Sequence, residues 1–343
     1  REINDSDDPL SPHPYNHWMI KEIEEQPHSI LRTLNNGARV FDNTVKLGGI
    51  DYVTPYIDEI ENIVLLGCGT SLNACMIGKH YFKLCKGIRS VQYIDGSDFT
   101  LEDIPNAING KYTLIILCSQ SGETKDLYRC IELCHNSQNI ITLGVINVVD
   151  SLIARDVNCG VYLNAGREVA VASTKSFTST LTALSLISIW INQHHNANSP
   201  VHNNLIESIT KLSNQIKTTL EQLKDSDMLN IISRLNNPSI FILGKGKMEA
   251  VAKEAALKMK EVAYIHAEGC SASSLKHGPF ALLCDNFPVI LLFDKKNRDK
   301  LMNTYKELTA RNAYVLVISE LPELECENII VVPENKHYQE IIY

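Results

Sequence analysis

The chain has 343 residues, 44 % apolar and 21 % charged, with 40 acidic against 32 basic side chains and a formal net charge of −8. That length can bury two cores, and the acidic balance argues against nucleic acid, which needs a basic face. It leaves room for an anionic small molecule held by local backbone N–H groups. No run of eighteen apolar residues occurs, so neither a membrane-spanning helix nor membrane attachment is expected, and the first residues lack the pattern of a secretory signal. The ten cysteines show no CxxC spacing and the eleven histidines do not group with them. Free thiols in a reducing cytoplasm, no structural metal and no cofactor are therefore expected.

Residues 1–14 are polar, contain three prolines and read as a linker. In 15–48 the spacing of Met19, Ile20, Ile23, Ile30, Leu31 and Leu34 predicts helices broken at Pro27. Strands follow at 62–67, 91–95, 112–119, 139–147 and 159–166, with helices at 71–86 and 124–136. Strands separated by helix-length segments predict a parallel sheet covered on both faces. Long helices are expected at 174–195 and 203–223, joined by a loop at 197–204. The alternation then restarts, with strands at 239–244, 287–294, 313–319 and 328–333 and helices at 247–263 and 297–311. "NIVLLGCGTSLNAC" and "SIFILGKGKMEAVA" align as strand, glycine, x, glycine, helix. The α/β chain is thus expected to hold two tandem, doubly wound, flavodoxin-like domains, at 49–200 and 227–343, joined by a connecting helix at 201–226.

The turns Gly67-x-Gly69 and Gly244-x-Gly246 lack the third glycine of a dinucleotide loop, so they read as tight strand-to-helix turns. Three strand ends carry hydroxyls instead: Thr70 and Ser71; Ser119, Gln120, Ser121 and Thr124; and Ser173 with Thr174. Each loop alone reads as a helix cap. Together, at the carboxyl ends of parallel strands, they suit a phosphate and several sugar hydroxyls. No Walker lysine follows them. On the helix at 247–263, Glu254, Lys258 and Glu261 share a face at i, i+4 and i+7, opposite Val251, Ala255, Met259 and Val262. That triad is either an exposed ion-pair ladder or acid–base machinery at the mouth of a sugar-phosphate pocket. His277, in a loop stopped by Gly-Pro, is either a surface residue or a proton donor to a ring oxygen.

"GCGTS" (67–71), "SQSGET" (119–124), "NAGREVAVASTKSFT" (164–178), "EAALKMKEVAYIHAE" (254–268) and "LKHGP" (275–279) occur in this order. Together they resemble the isomerase part of glutamine–fructose-6-phosphate aminotransferases, and "YNHWMIKEIEEQP" (15–27) resembles the segment leading into it. The resemblance implies two sugar-isomerase (SIS-type) domains and the formation of glucosamine 6-phosphate from fructose 6-phosphate. It implies that Ser119, Gln120, Ser121 and Thr124 hold the phosphate, and that Thr70, Ser71, Val171 and Ser173 line the sugar. It implies Glu261 as the base between C1 and C2, Lys258 as its assistant, and His277 as the ring-opening residue reaching a neighbouring subunit's site in a dimer or larger assembly. The family's glutaminase domain and its lysine-bearing C-terminal tail have no counterpart in these 343 residues, so the chain alone is expected not to hydrolyse glutamine. Ser274 stands where the family carries Glu before "LKHGP". A stand-alone fructosamine or sugar-phosphate relative and a non-catalytic sugar-phosphate regulator of the same fold are the competing readings.

Overall fold

A computed structural model describes residues 11–41, 43–106, 110–135, 137–195, 200–225 and 228–343. Residues 1–10 of the expected linker and the expected boundary at 226–227 lie outside the described residues. The chain enters through α1 (Trp18–Glu24) and α2 (Gln26–Thr33). The break falls at Glu25, not at Pro27, which is the second residue of α2. There its missing N–H removes no helical hydrogen bond, so proline is tolerated. A small antiparallel hairpin, β1 (Val40–Phe41) with β2 (Thr44–Val45), and a run of tight turns lead to the first sheet.

That sheet is built from β3 (Ile60–Gly67), α3 (Thr70–Phe82), β4 (Ser90–Asp95), β5 (Tyr112–Ser119), α4 (Lys125–His135), β6 (Ile140–Ile146), α5 (Leu152–Asp156) and β7 (Cys159–Tyr162). All its strand pairs are parallel, in the order β4-β3-β5-β6-β7. Two long helices follow, α6 (Lys175–His195) and α7 (Pro200–Asp225), then α8 (Met228–Leu235). Residues 200–204, expected in a loop, open α7. The second sheet comprises β8 (Ser239–Gly244), α9 (Lys247–Lys258), β9 (His266–Ser271), β10 (Pro288–Phe293), α10 (Arg298–Thr309), β11 (Tyr314–Ser319), β12 (Asn328–Val331) and the short α11 (Gln339–Ile342). It too is parallel, in the order β12-β11-β10-β8-β9. Numbered within each sheet, both orders are 2-1-3-4-5. β9 is the second strand of its sheet and was not expected from the sequence.

The two sheets share a core. Ile63 and Leu65 of β3 and Ile240 and Ile242 of β8 belong to one apolar cluster with α3, α6, α7 and α9. The alternate residues face outward: Val64 and Leu66 pack with α4 and α5, and Phe241 and Leu243 pack with residues of α10. This is the period-two alternation of strands covered on both faces. Helix α6 is buried along its whole length from Lys175 to Asn192. Several of its hydroxyls are satisfied within the helix, Thr180 by Ser176 O (2.7 Å), Thr182 by Thr178 O (2.8 Å) and Ser188 by Ser185 O (2.8 Å). No helix among the described residues is long and apolar enough to cross a membrane. All ten cysteines are free thiols, and burial pushes Cys68 up to about 11 and Cys85 up to about 12.

The two glycine turns are superimposable in kind. Gly69 has φ 55°, ψ −125° and Gly246 has φ 64°, ψ −122°, a conformation that disfavours a side chain. Gly67 and Gly244 end their strands against the first turn of the following helix, where a Cβ would collide with the backbone of Ser71 and Met248 respectively. Gly244→Ala should therefore lower the unfolding free energy by about 1–3 kcal/mol, the cost of overpacking, measured as a fall in the urea midpoint at unchanged slope.

Candidate functional site

In a doubly wound sheet the ligand crevice lies outside the carboxyl ends of the strands, where the chain reverses direction. In the first sheet that point falls between β3 and β5, which are neighbours. Their exits are the Gly67–Ser71 and Ser119–Thr124 loops. After β5, Ser119 Oγ accepts from Gly122 N (2.9 Å) and lies 3.2 Å from Thr124 Oγ1. Ser121 Oγ accepts from Glu123 N (3.2 Å). Gly122 takes φ +68°, and a Cβ there would strike Ser151, so only glycine fits this bend. Among the described residues no hydrogen bond occupies the backbone N–H groups of Thr124, Lys125 and Asp126 at the start of α4. Gln120 is half-buried beside them. Free N–H groups and hydroxyls at a helix N-terminus form a cradle for an anion.

The third hydroxyl loop differs from this one. Glu168 lies across the start of α6, accepting from Thr174 N (2.9 Å), Ser176 N (3.2 Å), Ser173 Oγ (3.0 Å) and Ser176 Oγ (2.5 Å). The protein's own carboxylate fills this helix terminus, whereas the N-terminus of α4 carries no such internal cap among the described residues. Val171, in the same segment, is 92 % exposed. The segment is pinned from behind by the N-terminal helices. Buried Glu22 accepts from Val169 N (2.6 Å) and Ala170 N (3.2 Å); burial raises its carboxyl above the usual range, against the lowering effect of those N–H groups. Lys175 Nζ meets Glu25 at 2.5 Å and Ser29 Oγ meets Ser179 Oγ at 2.5 Å.

The triad of α9 comes to the first sheet's loop because α3 packs on α9. It is not an exposed ladder. Thr70 Oγ1 accepts from Lys258 Nζ (3.0 Å) and donates to Glu254 Oε1 (2.9 Å). Asn73 Nδ2 donates to Glu254 Oε2 (2.8 Å), and Lys258 Nζ also lies 3.2 Å from Glu254 Oε1 and 2.8 Å from Glu261 Oε2. The side chain of Glu254 is 6 % exposed, that of Lys258 18 % and that of Glu261 30 %. Val262, expected on the buried apolar face, is 48 % exposed, and the neighbouring Tyr264 is 88 % exposed. The physical reason is a change of helix type. After Lys258 the chain widens into a π-turn over Met259–Ala263 and stops at Tyr264 in the left-handed region. Such turns recur at functional sites, and this one contains Glu261, which faces Lys258 three residues earlier.

These contacts sort the groups by what they can do. Both oxygens of Glu254 are occupied by protein donors, so this residue positions Lys258. Glu261 Oε2 has only the ammonium for company and accepts no hydrogen bond among the described residues. Ser71 is half-buried on the first turn of α3. His277 sits apart, exposed on the tight turn Leu275–His277, and its ring has no hydrogen-bond partner among the described residues. Glu168, Asn73 and the positioning role of Glu254 were not anticipated. Only the four-residue spacing of Glu254 to Lys258 signals any of them in sequence. No group of three or more His, Cys, Asp or Glu among the described residues is arranged to hold a metal.

The family model described as SIS domain matches residues 56–189 and 235–328, one stretch over each sheet. A relative from Acanthamoeba polyphaga mimivirus, described as a probable glutamine–fructose-6-phosphate aminotransferase [isomerizing], is 40 % identical over 328 residues, 94 % of this chain and 52 % of its own length. The Saccharomyces cerevisiae glutamine–fructose-6-phosphate aminotransferase [isomerizing] is 32 % identical over 306 residues, 89 % of this chain and 42 % of that one. The C-terminal domain of glucosamine-fructose-6-phosphate aminotransferase from Francisella tularensis superposes with a TM-score of 0.84 at 26 % identity, covering 97 % of this chain and 93 % of that one. The chain spans about half the length of the curated relatives it matches. With a matched stretch on each of two sheets of one topology, the chain belongs to the SIS domain family.

Proposed function

We propose that the chain carries the ketose–aldose isomerisation half of glucosamine 6-phosphate synthesis from fructose 6-phosphate, using ammonia that a glutaminase domain outside these residues draws from glutamine. The observation that supports this most is the Lys258–Glu261 pair at 2.8 Å, tied through Thr70 to the switch point of the first sheet. The phosphate docks on Ser119, Gln120, Ser121 and Thr124 at the α4 N-terminus, and the sugar lies along Thr70, Ser71, Val171 and Ser173. Glu261 takes the proton from C1 and returns it to C2, and the Lys258 ammonium stabilises the charge that develops on the substrate. A carboxylate that shuttles one proton between adjacent carbons ends the cycle as it began, so no cofactor is required.

His277 serves ring opening in the site of a neighbouring subunit of a homodimer or larger assembly. Its exposure and its free ring support a role outside its own chain's cleft. Ten free thiols support a reducing, cytoplasmic setting. A non-catalytic sugar-phosphate regulator would use the same phosphate cradle but would have no need of Glu261 poised on Lys258.

Glu261→Gln should bind fructose 6-phosphate as the wild type does while its conversion, followed by NMR of the sugar products with and without ammonium, falls roughly 10²–10⁴-fold; unchanged turnover would remove Glu261 from the role of base, and a wild type that binds without converting would favour the regulator. Random mixing of His277→Ala with Glu261→Gln subunits should recover about a quarter of wild-type turnover, since half the dimers then carry one intact site; no recovery after demonstrated subunit exchange would place both residues in one subunit's site.

A further inference from the structure

The second sheet repeats the topology of the first, but the edge equivalent to the sugar-phosphate crevice is built from charges rather than hydroxyls. A cleft of about 1000 Å³ opens there, at the exits of β8, β10 and β11 and against the segment that leads into α11. The Gly246 turn brings the backbone and the N-terminus of α9 to its wall in the same conformation that Gly69 gives α3. Where the first sheet places Ser119 and Ser121 at and just beyond the end of its third strand, this one places Asp294, Lys295 and Lys296 just beyond it.

Six lysines line the cleft, Lys83, Lys245, Lys247, Lys295, Lys296 and Lys336, against four carboxylates, Asp294, Glu320, Glu334 and Glu340. The formal excess is two positive charges (6 − 4) within a chain of net charge −8. More telling is how they pair. Every carboxylate is engaged. Glu340 accepts from Tyr81 OH (2.7 Å) and meets Lys247 Nζ at 2.8 Å. Glu320 accepts from Lys295 N (2.7 Å) and from Tyr343 OH. Asp294 accepts from Asn297 N (3.2 Å) and Nδ2 (2.9 Å), and Glu334 pairs with Lys295 at 3.1 Å. The ammonium groups of Lys83, Lys296 and Lys336, by contrast, have no hydrogen bond or ion pair among the described residues. His337 Nε2 is buried in the same wall without a partner. Burial holds the His337 and His80 imidazoles below their usual range, and nearby lysines lower them further, as expected in a concavity of unneutralised positive charge.

We propose that this cleft is a second ligand site, distinct from the sugar-phosphate crevice of the first sheet, and that it takes a compact phosphorylated anion of two or more negative charges. The acids are consumed by internal contacts, and the three unpaired lysines line one concave surface of a size fit for a small molecule. Recognition there rests on charge, where recognition in the first crevice rests on hydroxyls and helix N–H groups.

Inorganic pyrophosphate is the probe, titrated calorimetrically into the full chain at low salt. The wild type should bind one equivalent, and Lys296→Gln with Lys336→Gln, both exposed and outside the isomerase machinery, should weaken that binding by at least about tenfold while leaving the fructose 6-phosphate affinity unchanged. Ser121→Ala with Thr124→Ala should do the reverse. No pyrophosphate binding by the wild type would overturn the proposal. So would pyrophosphate binding that the serine and threonine changes abolish and the lysine changes leave intact, because that would place the anion in the first crevice.

Discussion

The carboxylate of Glu254 is the contact on which the rest of the site depends. A buried carboxylate costs several kcal/mol unless donors surround it. Here the donors come from both halves of the chain, Thr70 and Asn73 from the first turn of α3 and Lys258 from α9 itself. The cost of desolvation therefore acts as a constraint on geometry. Helix α9 must present this face to α3 and nowhere else, and once it does, Lys258 is fixed beside Thr70 and Glu261 beside Lys258. The crevice of the first sheet is completed by a helix of the second.

The duplicated topology makes the divergence of the two halves readable. Both sheets run 2-1-3-4-5, both first strands end in a glycine that admits no side chain, and both following helices start from a glycine with positive φ. What changed is the chemistry at the strand exits. The first half kept small hydroxyls and an open helix N-terminus, a surface suited to a ligand with many oxygens. The second half carries long cationic side chains whose acidic neighbours are already engaged. A common scaffold thus separates the requirement for backbone shape, which is shared, from the requirement for recognition, which is not.

Much of this was legible in the sequence. Strands such as "IVLLG" and "FILG" are short continuous apolar runs, which is how a strand covered on both faces must read, and the strand-glycine-x-glycine pattern carried the duplication. The strand β9 was lost because "HAEGCS" is polar and follows a helix without a turn signal; only its pairing with β8 makes it a strand. The spacing of Glu254, Lys258 and Glu261 was plain, but whether that face meets water or another helix depends on α3, almost two hundred residues earlier in the chain. Glu168 was invisible as a cap because it reaches the start of α6 from a loop rather than from the position adjoining the helix. The π-turn after Lys258, which reverses the exposure expected for Val262, has no signature in residue type.

The N-terminal helices deserve a mechanical reading. Glu22 holds the amides of Val169 and Ala170, Glu25 holds Lys175, and Ser29 holds Ser179. These three grips fall within ten residues of Val171 and Ser173 and close over almost no slack, since the side chains are short or buried. Helices α1 and α2 thus hold at three separate points the backbone of the segment that would border the sugar, so its placement is set from a stretch of chain more than a hundred residues away.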